Sequence, residues 1–209
     1  MRIRYILILS APVLFQLMMI VNQYLQPGYN PIRDTISSLV WGYGGWIQTV
    51  NFYLFGILLM FFAVKFFADK NNKVSYRASG ILLLLIGLGF IILGICPTQS
   101  PGAEQTVQSI IHGVTVYCII ILFPTTCFVL ASVLRNETYP RFLFIYTCIT
   151  GTLNLAFILL GAFFAVSHEY WFGMVERLII LNGFAWIEVI GIQVWGRSSI
   201  RAIEQTRPV

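Results

Sequence analysis

The amino-acid sequence predicts an all-α integral membrane protein, a polytopic bundle of six transmembrane helices with both termini in the cytoplasm. Three observations lead to this prediction. Of the 209 residues, 58% are hydrophobic and only 10% are charged, whereas a soluble domain carries about a quarter charged residues. Six apolar segments reach the roughly 20 residues that a helix needs to cross the hydrocarbon core of a bilayer. Basic residues are concentrated in every second connection between these segments.

The six predicted spans form a single membrane domain over residues 1–209, because the apolar segments leave no room for a second, soluble domain. They lie at residues 5–21, 47–65, 78–96, 109–134, 142–166 and 173–195. The first span follows a short basic stretch, as in a signal peptide. No small-x-small cleavage site comes after it, so we expect an uncleaved helix.

The distribution of charge predicts the orientation. With six spans, eleven of the 13 Lys and Arg residues fall on one side, and only Arg33 and Arg177 fall on the other. The positive-inside rule places the side with eleven, and with it both termini, in the cytoplasm. The longest connection, residues 23–46, is then an outer loop between helices one and two.

Composition also limits the partners. A net charge of +5 would suit a nucleic acid, but the basic residues sit in short loops and form no stripe, so we expect no nucleic-acid partner. The cysteines show no CxxC or Cys/His spacing, and we expect them to be small buried side chains: Cys96, Cys118, Cys127 and Cys148. The sequence identifies no cofactor.

Helix three carries Gly80, Gly87 and Gly94, spaced by seven residues. Seven residues are nearly two helical turns, so the three glycines lie in one stripe on the helix surface. Such a stripe predicts close packing against a neighbouring helix.

The outer loop allows two interpretations. In the first, Asp34 or Thr35 caps a short helix over the mouth of the bundle, with an apolar face made by Ile36, Leu39 and Val40. In the second, polar residues of the loop line an outward-facing site: Arg33, Asp34, Ser37 and Ser38.

Three features share the outer depth: this loop, His112 at the start of helix four, and Glu176 with Arg177 at the start of helix six. A carboxylate of Asp34 or Glu176 could orient His112 as a general base acting on water or on the Ser37 hydroxyl. Arg33, Arg177 and Ser38 would then bind the substrate, with the guanidinium groups holding a phosphate. The carboxylates and the histidine could instead bind a metal, although a single histidine disfavours a stable zinc site.

A purely structural network is the alternative for the same residues. Asp34 would pair with Arg177, Glu176 would pair with Arg33, and His112 would donate to a carbonyl. Deeper in the membrane, Glu188, Asn154 and Asn182 either form structural hydrogen bonds or line a transport path. His168 and Glu169, in the loop before helix six, are expected to lie in solvent or at headgroup level.

The loop sequence Tyr-Asn-Pro-Ile-Arg-Asp-Thr-Ile-Ser-Ser-Leu at residues 29–39 resembles the DUF998 family of bacterial and archaeal six-span membrane proteins. The remaining matching pieces are Gly-Gly-Trp at 44–46, Gly-Ile-Cys-Pro-Thr at 94–98, His112 and the Glu176–Arg177 pair. The resemblance covers nearly the whole chain and implies a multi-pass protein of the plasma membrane. The chain is more distantly similar to the six-span Frag1/DRAM/Sfk1 group, which implies a role connected with lipids.

Three functions fit these observations. The first is binding or hydrolysis of a lipid or lipid-linked anionic substrate at the outer site, with Asp34, Ser37, His112 and Glu176 as catalytic residues. The second is a small transporter or amphiphile sensor that uses Glu188 and Asn182. The third is a structural or accessory subunit. Membrane lipids are partners in each case, and the sequence leaves a homo-oligomer open.

Overall fold

The structure is a computed structural model that describes residues 9–67, 74–100, 102–135, 139–167 and 170–205, with only the backbone described from residue 194 onward. Six α-helices follow one another in these ranges: α1 (Ala11–Leu25), α2 (Gly45–Val64), α3 (Val74–Ile95), α4 (Val107–Leu134), α5 (Arg141–Ser167) and α6 (Phe172–Gln205). Short 3-10 helices occupy Ser37–Trp41 and Lys65–Phe67.

The six predicted helices are confirmed, and most of their ends lie within about four residues of the predicted ones. The exceptions are α6, which continues ten residues past the predicted end at 195, and α1, whose predicted start lies outside the described residues. Local chemistry explains several ends. At the start of α4, the Thr106 hydroxyl accepts from the Ser109 amide at 3.1 Å, and the Ser109 hydroxyl accepts from the Thr106 amide at 3.0 Å. This reciprocal pair is a capping box, which satisfies two amides that the first turn leaves free. The helix α3 ends at Ile95, two residues before Pro97. Helical geometry is disfavoured for a residue that precedes a proline, so Cys96 does not continue the helix.

Four of the helices are long and apolar enough to cross a membrane: α2 with its 3-10 extension, α3, α4 and α5. In the described range, α1 is a shorter apolar helix. The expectation that all four cysteines are buried was wrong. Cys127 is buried, Cys96 and Cys148 are half-buried, and Cys118 is exposed on the surface of α4, because its position on that helix faces away from the bundle interior.

Each helix packs against the next one in the chain, and α6 returns to pack against α1. Successive helices are antiparallel. On α5 and α6, for example, Trp186 donates to the Thr147 hydroxyl at 3.1 Å, while Asn182, earlier on α6, donates to the carbonyl of Thr150, later on α5, at 3.0 Å. Helices α2, α4 and α6 therefore begin at the end where the loop of residues 26–44 lies, which we call the loop end.

Aromatic rings fill the centre of the bundle. The Phe15 ring of α1 lies 5.4 Å from Phe55, 6.1 Å from Phe90 and 5.1 Å from Phe184, all in edge-on geometry. Each of these side chains is buried. Edge-on aromatic pairs add to the stabilisation from buried area, so this cluster links α1, α2, α3 and α6 in one core.

The glycine stripe of α3 packs against α2 and its 3-10 extension, which confirms the packing prediction. A Cβ on Gly87 would lie 2.7 Å from Met60 Cγ and 2.8 Å from the Gly56 carbonyl oxygen. A Cβ on Gly94 would meet the Tyr53 ring, and one on Gly80 would meet Phe66 and Phe67. The two helix backbones approach closely only because these positions lack side chains.

Replacing Gly87 by Ala should lower the stability of the bundle by about 1–3 kcal/mol, the cost of overpacking a close contact. Gly113→Ala is the matched control, because a Cβ at Gly113 would meet nothing within 4 Å and Ala favours helix. The midpoint of thermal unfolding in one detergent measures both effects. Equal midpoints for the two variants would contradict the close packing of α2 on α3.

Candidate functional site

The loop of residues 26–44 is hydrogen-bonded to the first turns of α6. The amide of Met174 donates to the Ile32 carbonyl at 2.9 Å. The amide of Ile36 donates to Oε2 of Glu176 at 2.6 Å, and Nη1 of Arg177 donates to the Asp34 carbonyl at 3.0 Å. Two adjacent side chains of α6 thus bind the main chain of the loop, and neither bond is made to a loop side chain.

Tyr29 completes this attachment. The Arg177 Nη2 donates to the Tyr29 hydroxyl, and that hydroxyl lies 2.9 Å from the Thr35 carbonyl oxygen. Burial raises the pKa of Tyr29 to about 12, so the phenol stays neutral and keeps its proton to donate. Gly173 lets the loop approach, because a Cβ there would overlap the Asp34 carbonyl. We call Tyr29, Glu176 and Arg177 the loop clamp.

The Asp34 carboxylate is used within the loop itself. It accepts from Nε of Arg33 at 2.7 Å and from the Asn30 amide at 2.8 Å. The hydrogen bond from Arg33 holds the pKa of the Asp34 carboxyl below its ordinary value. The Arg33 side chain is half-exposed, so this pair organises the turn and contributes little to overall stability.

His112 is oriented by the end of α3. Its Nδ1 lies 2.7 Å from the Cys96 carbonyl oxygen, and only 3% of the residue is exposed. A carbonyl oxygen only accepts, so Nδ1 carries the proton and the neutral ring keeps its lone pair on Nε2. Nε2 is buried and has no partner among the described residues. The sequence left open whether a carboxylate of Asp34 or Glu176 orients His112 or whether His112 donates to a carbonyl. The second alternative describes this bond, because the acceptor is the main-chain carbonyl of Cys96.

The two serines differ in their surroundings. The Ser38 hydroxyl donates to the Thr35 carbonyl at 2.7 Å, and the Ser38 amide donates to the Thr35 hydroxyl at 3.2 Å, which together shape the start of the 3-10 helix. Ser37 is buried beside Ile36 and Leu39. Trp41, at the end of this 3-10 helix, donates to the Thr98 carbonyl at 3.1 Å. The loop therefore spans from α6 to the turn that also holds His112.

Four polar side chains stand at the same spacing from an interior residue of their own helix. Two of them, Asn22 and Gln48, were not among the candidates predicted from the sequence. On α1, α2, α4 and α6, a polar residue stands seven residues nearer the loop end than an interior residue: Asn22 with Phe15, Gln48 with Phe55, His112 with Ile119, and Glu176 with Gly183. Seven residues are almost two turns, so each pair shares a helix face. We call Asn22, Gln48, His112 and Glu176 the polar layer.

Several atoms of the polar layer are buried without a hydrogen bond. Asn22 and Gln48 are fully buried. Both polar atoms of the Gln48 side chain, Oδ1 of Asn22 and Nε2 of His112 have no partner among the described residues. The Asn22 Nδ2 makes one long bond, 3.4 Å, to the Leu39 carbonyl. Each unpartnered buried group lowers the stability of the fold by about 1–3 kcal/mol. The polar layer is therefore destabilising unless a ligand or water supplies the missing hydrogen bonds.

An apolar cavity of about 50 Å³ lies below the polar layer, lined by residues of α2 to α6. Phe55, Ile119 and Gly183 belong to its walls, and these are the interior residues that align with Gln48, His112 and Glu176. Asn154 also lines the cavity, and its Oδ1 has no partner among the described residues. The wall is otherwise aliphatic and aromatic.

The other polar candidates lie deeper or outside the described residues. Asn182 donates to the Thr150 carbonyl at 3.0 Å, which joins α6 to α5. Glu188 has one unpartnered oxygen, Oε1. His168 and Glu169 lie outside the described residues. Within the described part of the chain, no group of three or more His, Cys, Asp or Glu side chains could hold a metal ion.

Arg177→Gln should release the loop, because the guanidinium donates to the Asp34 carbonyl and to Tyr29. Loss of one hydrogen bond from a charged donor costs about 1.5–3 kcal/mol. We expect amide exchange in residues 29–39 to rise by roughly tenfold or more, measured by hydrogen–deuterium exchange with mass spectrometry. Arg33→Gln, which removes only the exposed pair with Asp34, is the control. Equal exchange in the two variants would contradict the clamp.

No curated protein and no solved structure matches the chain. The model of the DUF998 family, whose description is a protein of unknown function, matches residues 9–193. This range includes α1 to α5, the loop, the clamp and the polar layer. The chain therefore belongs to the DUF998 family.

Proposed function

We propose that the protein binds an amphiphile at the loop end of the bundle, with the polar head hydrogen-bonded to the polar layer. The single observation that carries this proposal is the set of buried side-chain atoms of Asn22, Gln48 and His112 that have no hydrogen-bond partner among the described residues. Gln48, His112 and Glu176 lie on the same helix faces as Phe55, Ile119 and Gly183.

The energetics support a ligand with two chemically different ends. The unpartnered atoms of Gln48, Asn22 and His112 need hydrogen-bonding partners, since burying such groups without them is costly. The cavity of about 50 Å³ is too small for an acyl chain, since even a cavity that holds benzene measures about 150 Å³. The exposed side chains of Ile110 and Ile111, next to His112 on α4, offer an apolar surface instead. A free polar solute would use only the polar atoms and a hydrocarbon only the apolar surface, whereas an amphiphile uses both.

We further propose that all six helices cross the membrane and that both termini face the cytoplasm. The antiparallel order of the helices supports an even number of crossings. The charges support the orientation: Lys65, Arg77, Arg135 and Arg141 all lie at the end of the bundle opposite the loop. On the positive-inside rule that end is cytoplasmic, and the loop end is outside.

Cysteine labelling tests the orientation. Tyr43, in the loop, is 92% exposed. In a chain whose native cysteines are replaced, Tyr43→Cys should react with a membrane-impermeant maleimide in intact cells. Arg135→Cys, between α4 and α5, should react only after the cells are permeabilised. The opposite labelling pattern would reverse the orientation, and labelling of both sites in intact cells would exclude six spans.

Hydrolysis of the bound amphiphile stays a prediction. It would use Nε2 of His112 as the base, Ser37 or water as the nucleophile, and Asp34 and Glu176 as the carboxylates of the site. The observation that supports it is the basic lone pair on His112, which the bond to the Cys96 carbonyl leaves free. Turnover of a lipid that is lost in His112→Ala, with the fold retained, would establish it.

Transport is the second candidate function. The observation in its favour is Glu188, a carboxyl in α6 with an unpartnered oxygen, twelve residues beyond Glu176. Ionisable groups inside a membrane often mark proton or ion pathways. Proton flux into liposomes that disappears in Glu188→Gln would favour this function over simple binding. An accessory role, with the loop docking a partner protein, also stays a prediction.

Removing the unpartnered amide of Gln48 tests amphiphile binding directly. Gln48 is fully buried on α2, whereas Gln108 lies exposed on the first turn of α4. Gln48→Leu should therefore reduce the lipid that remains bound to the purified protein, while Gln108→Leu should leave it unchanged. Native mass spectrometry measures the bound lipid per chain. Equal lipid content in both variants would contradict the proposal.

A further inference from the structure

We infer that the cavity lined by α2 to α6 binds a water molecule, which donates hydrogen bonds to Asn154 of α5 and to the main-chain carbonyl of Ile120 on α4. This site is separate from the proposed amphiphile site, because none of the described residues that line it belongs to the polar layer. Three observations carry the inference: the size of the cavity, an unpartnered acceptor on its wall, and a carbonyl that loses its helical donor to Pro124.

The volume of the cavity selects a ligand of the size of water. The cavity measures about 50 Å³, and one water molecule occupies about 30 Å³ in the liquid. A cavity that holds benzene measures about 150 Å³. One water molecule therefore fits in the space, whereas an aromatic molecule or an acyl chain does not.

Asn154 provides the polar side chain of the wall. It is fully buried on α5 and lines the cavity. Its Nδ2 makes one long bond, 3.5 Å, to the Thr150 carbonyl, and its Oδ1 has no partner among the described residues. Burying an acceptor without a donor is destabilising. Water both donates and accepts, so it satisfies the free atom of this amide whichever way the oxygen and nitrogen are assigned.

Pro124 frees a second acceptor on the same wall. Proline has no amide hydrogen, so Pro124 cannot donate to the carbonyl four residues earlier in α4, which is that of Ile120. Ile120 lines the cavity. The hydroxyls of Thr125 and Thr126 donate to the two carbonyls that follow Ile120, at 2.8 and 2.7 Å. Ordered water is one of the groups that satisfy carbonyls freed by a proline inside a membrane helix.

Two acceptors match the two O–H groups of one water molecule. A buried water makes about two to four hydrogen bonds, and Asn154 and Ile120 supply two of them from neighbouring helices. The bound water therefore links α4 to α5 beside the proline and replaces the donor that Pro124 lacks.

Other small ligands fit this cavity less well. A cation would need several oxygen ligands, and no charged side chain is among the described residues of the wall. Its charge would be buried in an apolar surrounding without compensation, which is unfavourable. A small apolar molecule would leave Oδ1 of Asn154 without a donor.

Hydroxyl-radical labelling tests for the bound water in the full-length protein. X-ray pulses convert water into hydroxyl radicals, and a radical formed from a buried water attacks the side chains around it. Phe55 lines the cavity, and Phe52, one turn earlier on α2, does not, although they are similarly buried, at 3% and 2% exposed. Phe55 should therefore be oxidised several-fold faster than Phe52, as measured by mass spectrometry of the digested protein.

Asn154→Leu should abolish this difference, so that Phe55 is oxidised as slowly as Phe52, because an apolar side chain of similar size removes the acceptor. Thr152→Leu, at an exposed position on the same helix, is the matched control and should leave the oxidation of Phe55 unchanged. Should Asn154→Leu fail to fold, Asn154→Met makes the same test.

Equal oxidation of Phe55 and Phe52 in the wild-type protein would overturn the inference, because the cavity would then bind no water. Fast oxidation of Phe55 that persists in Asn154→Leu would also overturn it, because Asn154 would not be the group that holds the water. Neither result bears on the amphiphile site, which is tested by the lipid bound to Gln48→Leu.

Discussion

The loop end depends on the hydrogen bonds that Glu176 and Arg177 make to the main chain of residues 32–36. The loop between α1 and α2 has little regular structure, so its amides and carbonyls lack the partners that a helix would provide. Where the loop is buried, as at Ile36 and Leu39, such groups must be satisfied by the protein itself. Glu176 supplies an acceptor and Arg177 supplies donors, from adjacent positions on one rigid helix, and the loop conformation follows from where these groups stand.

The same hydrogen bonds determine which side chains of the loop end remain available to bind another molecule. A guanidinium that holds two carbonyls and the Tyr29 hydroxyl has lost most of its capacity to hold a phosphate. His112, by contrast, is fixed through one nitrogen and leaves the other free. The unpartnered atoms of the loop end therefore lie mainly on the uncharged side chains of the polar layer, whereas the charged residues that first draw attention in the sequence are bonded within the loop end.

The polar layer also explains why the bundle is not packed for maximum stability. Burying four polar residues above an aromatic core stabilises the fold less than burying apolar residues of the same size would. The aromatic cluster around Phe15 and the close packing of α3 on α2 offset this cost elsewhere. Proteins commonly keep such locally unfavourable groups where they bind a ligand.

Much of the fold could be predicted from the sequence because its signals are local and long. Six apolar segments and a stripe of glycines at a spacing of seven each act through neighbouring residues. The location of a cluster at the loop end could be predicted in the same way, from the polar residues at the starts of helices four and six, and the bond of His112 to a carbonyl was one of the two predicted alternatives. The partners of Arg177 and Glu176 could not be predicted, because both bind main-chain groups, and every residue type offers those.

Gln48 illustrates why part of the candidate site could not be predicted from the sequence. A lone glutamine in the first turns of an apolar helix is unremarkable, and no charge or motif distinguishes it. What distinguishes it is register: it stands seven residues before Phe55, as His112 stands seven before Ile119 and Glu176 seven before Gly183. This spacing can be recognised as shared only when the structure shows that Phe55, Ile119 and Gly183 line one cavity. Three separate helices then carry a polar residue about two turns nearer the loop end than the cavity wall, which a sequence read one helix at a time does not reveal.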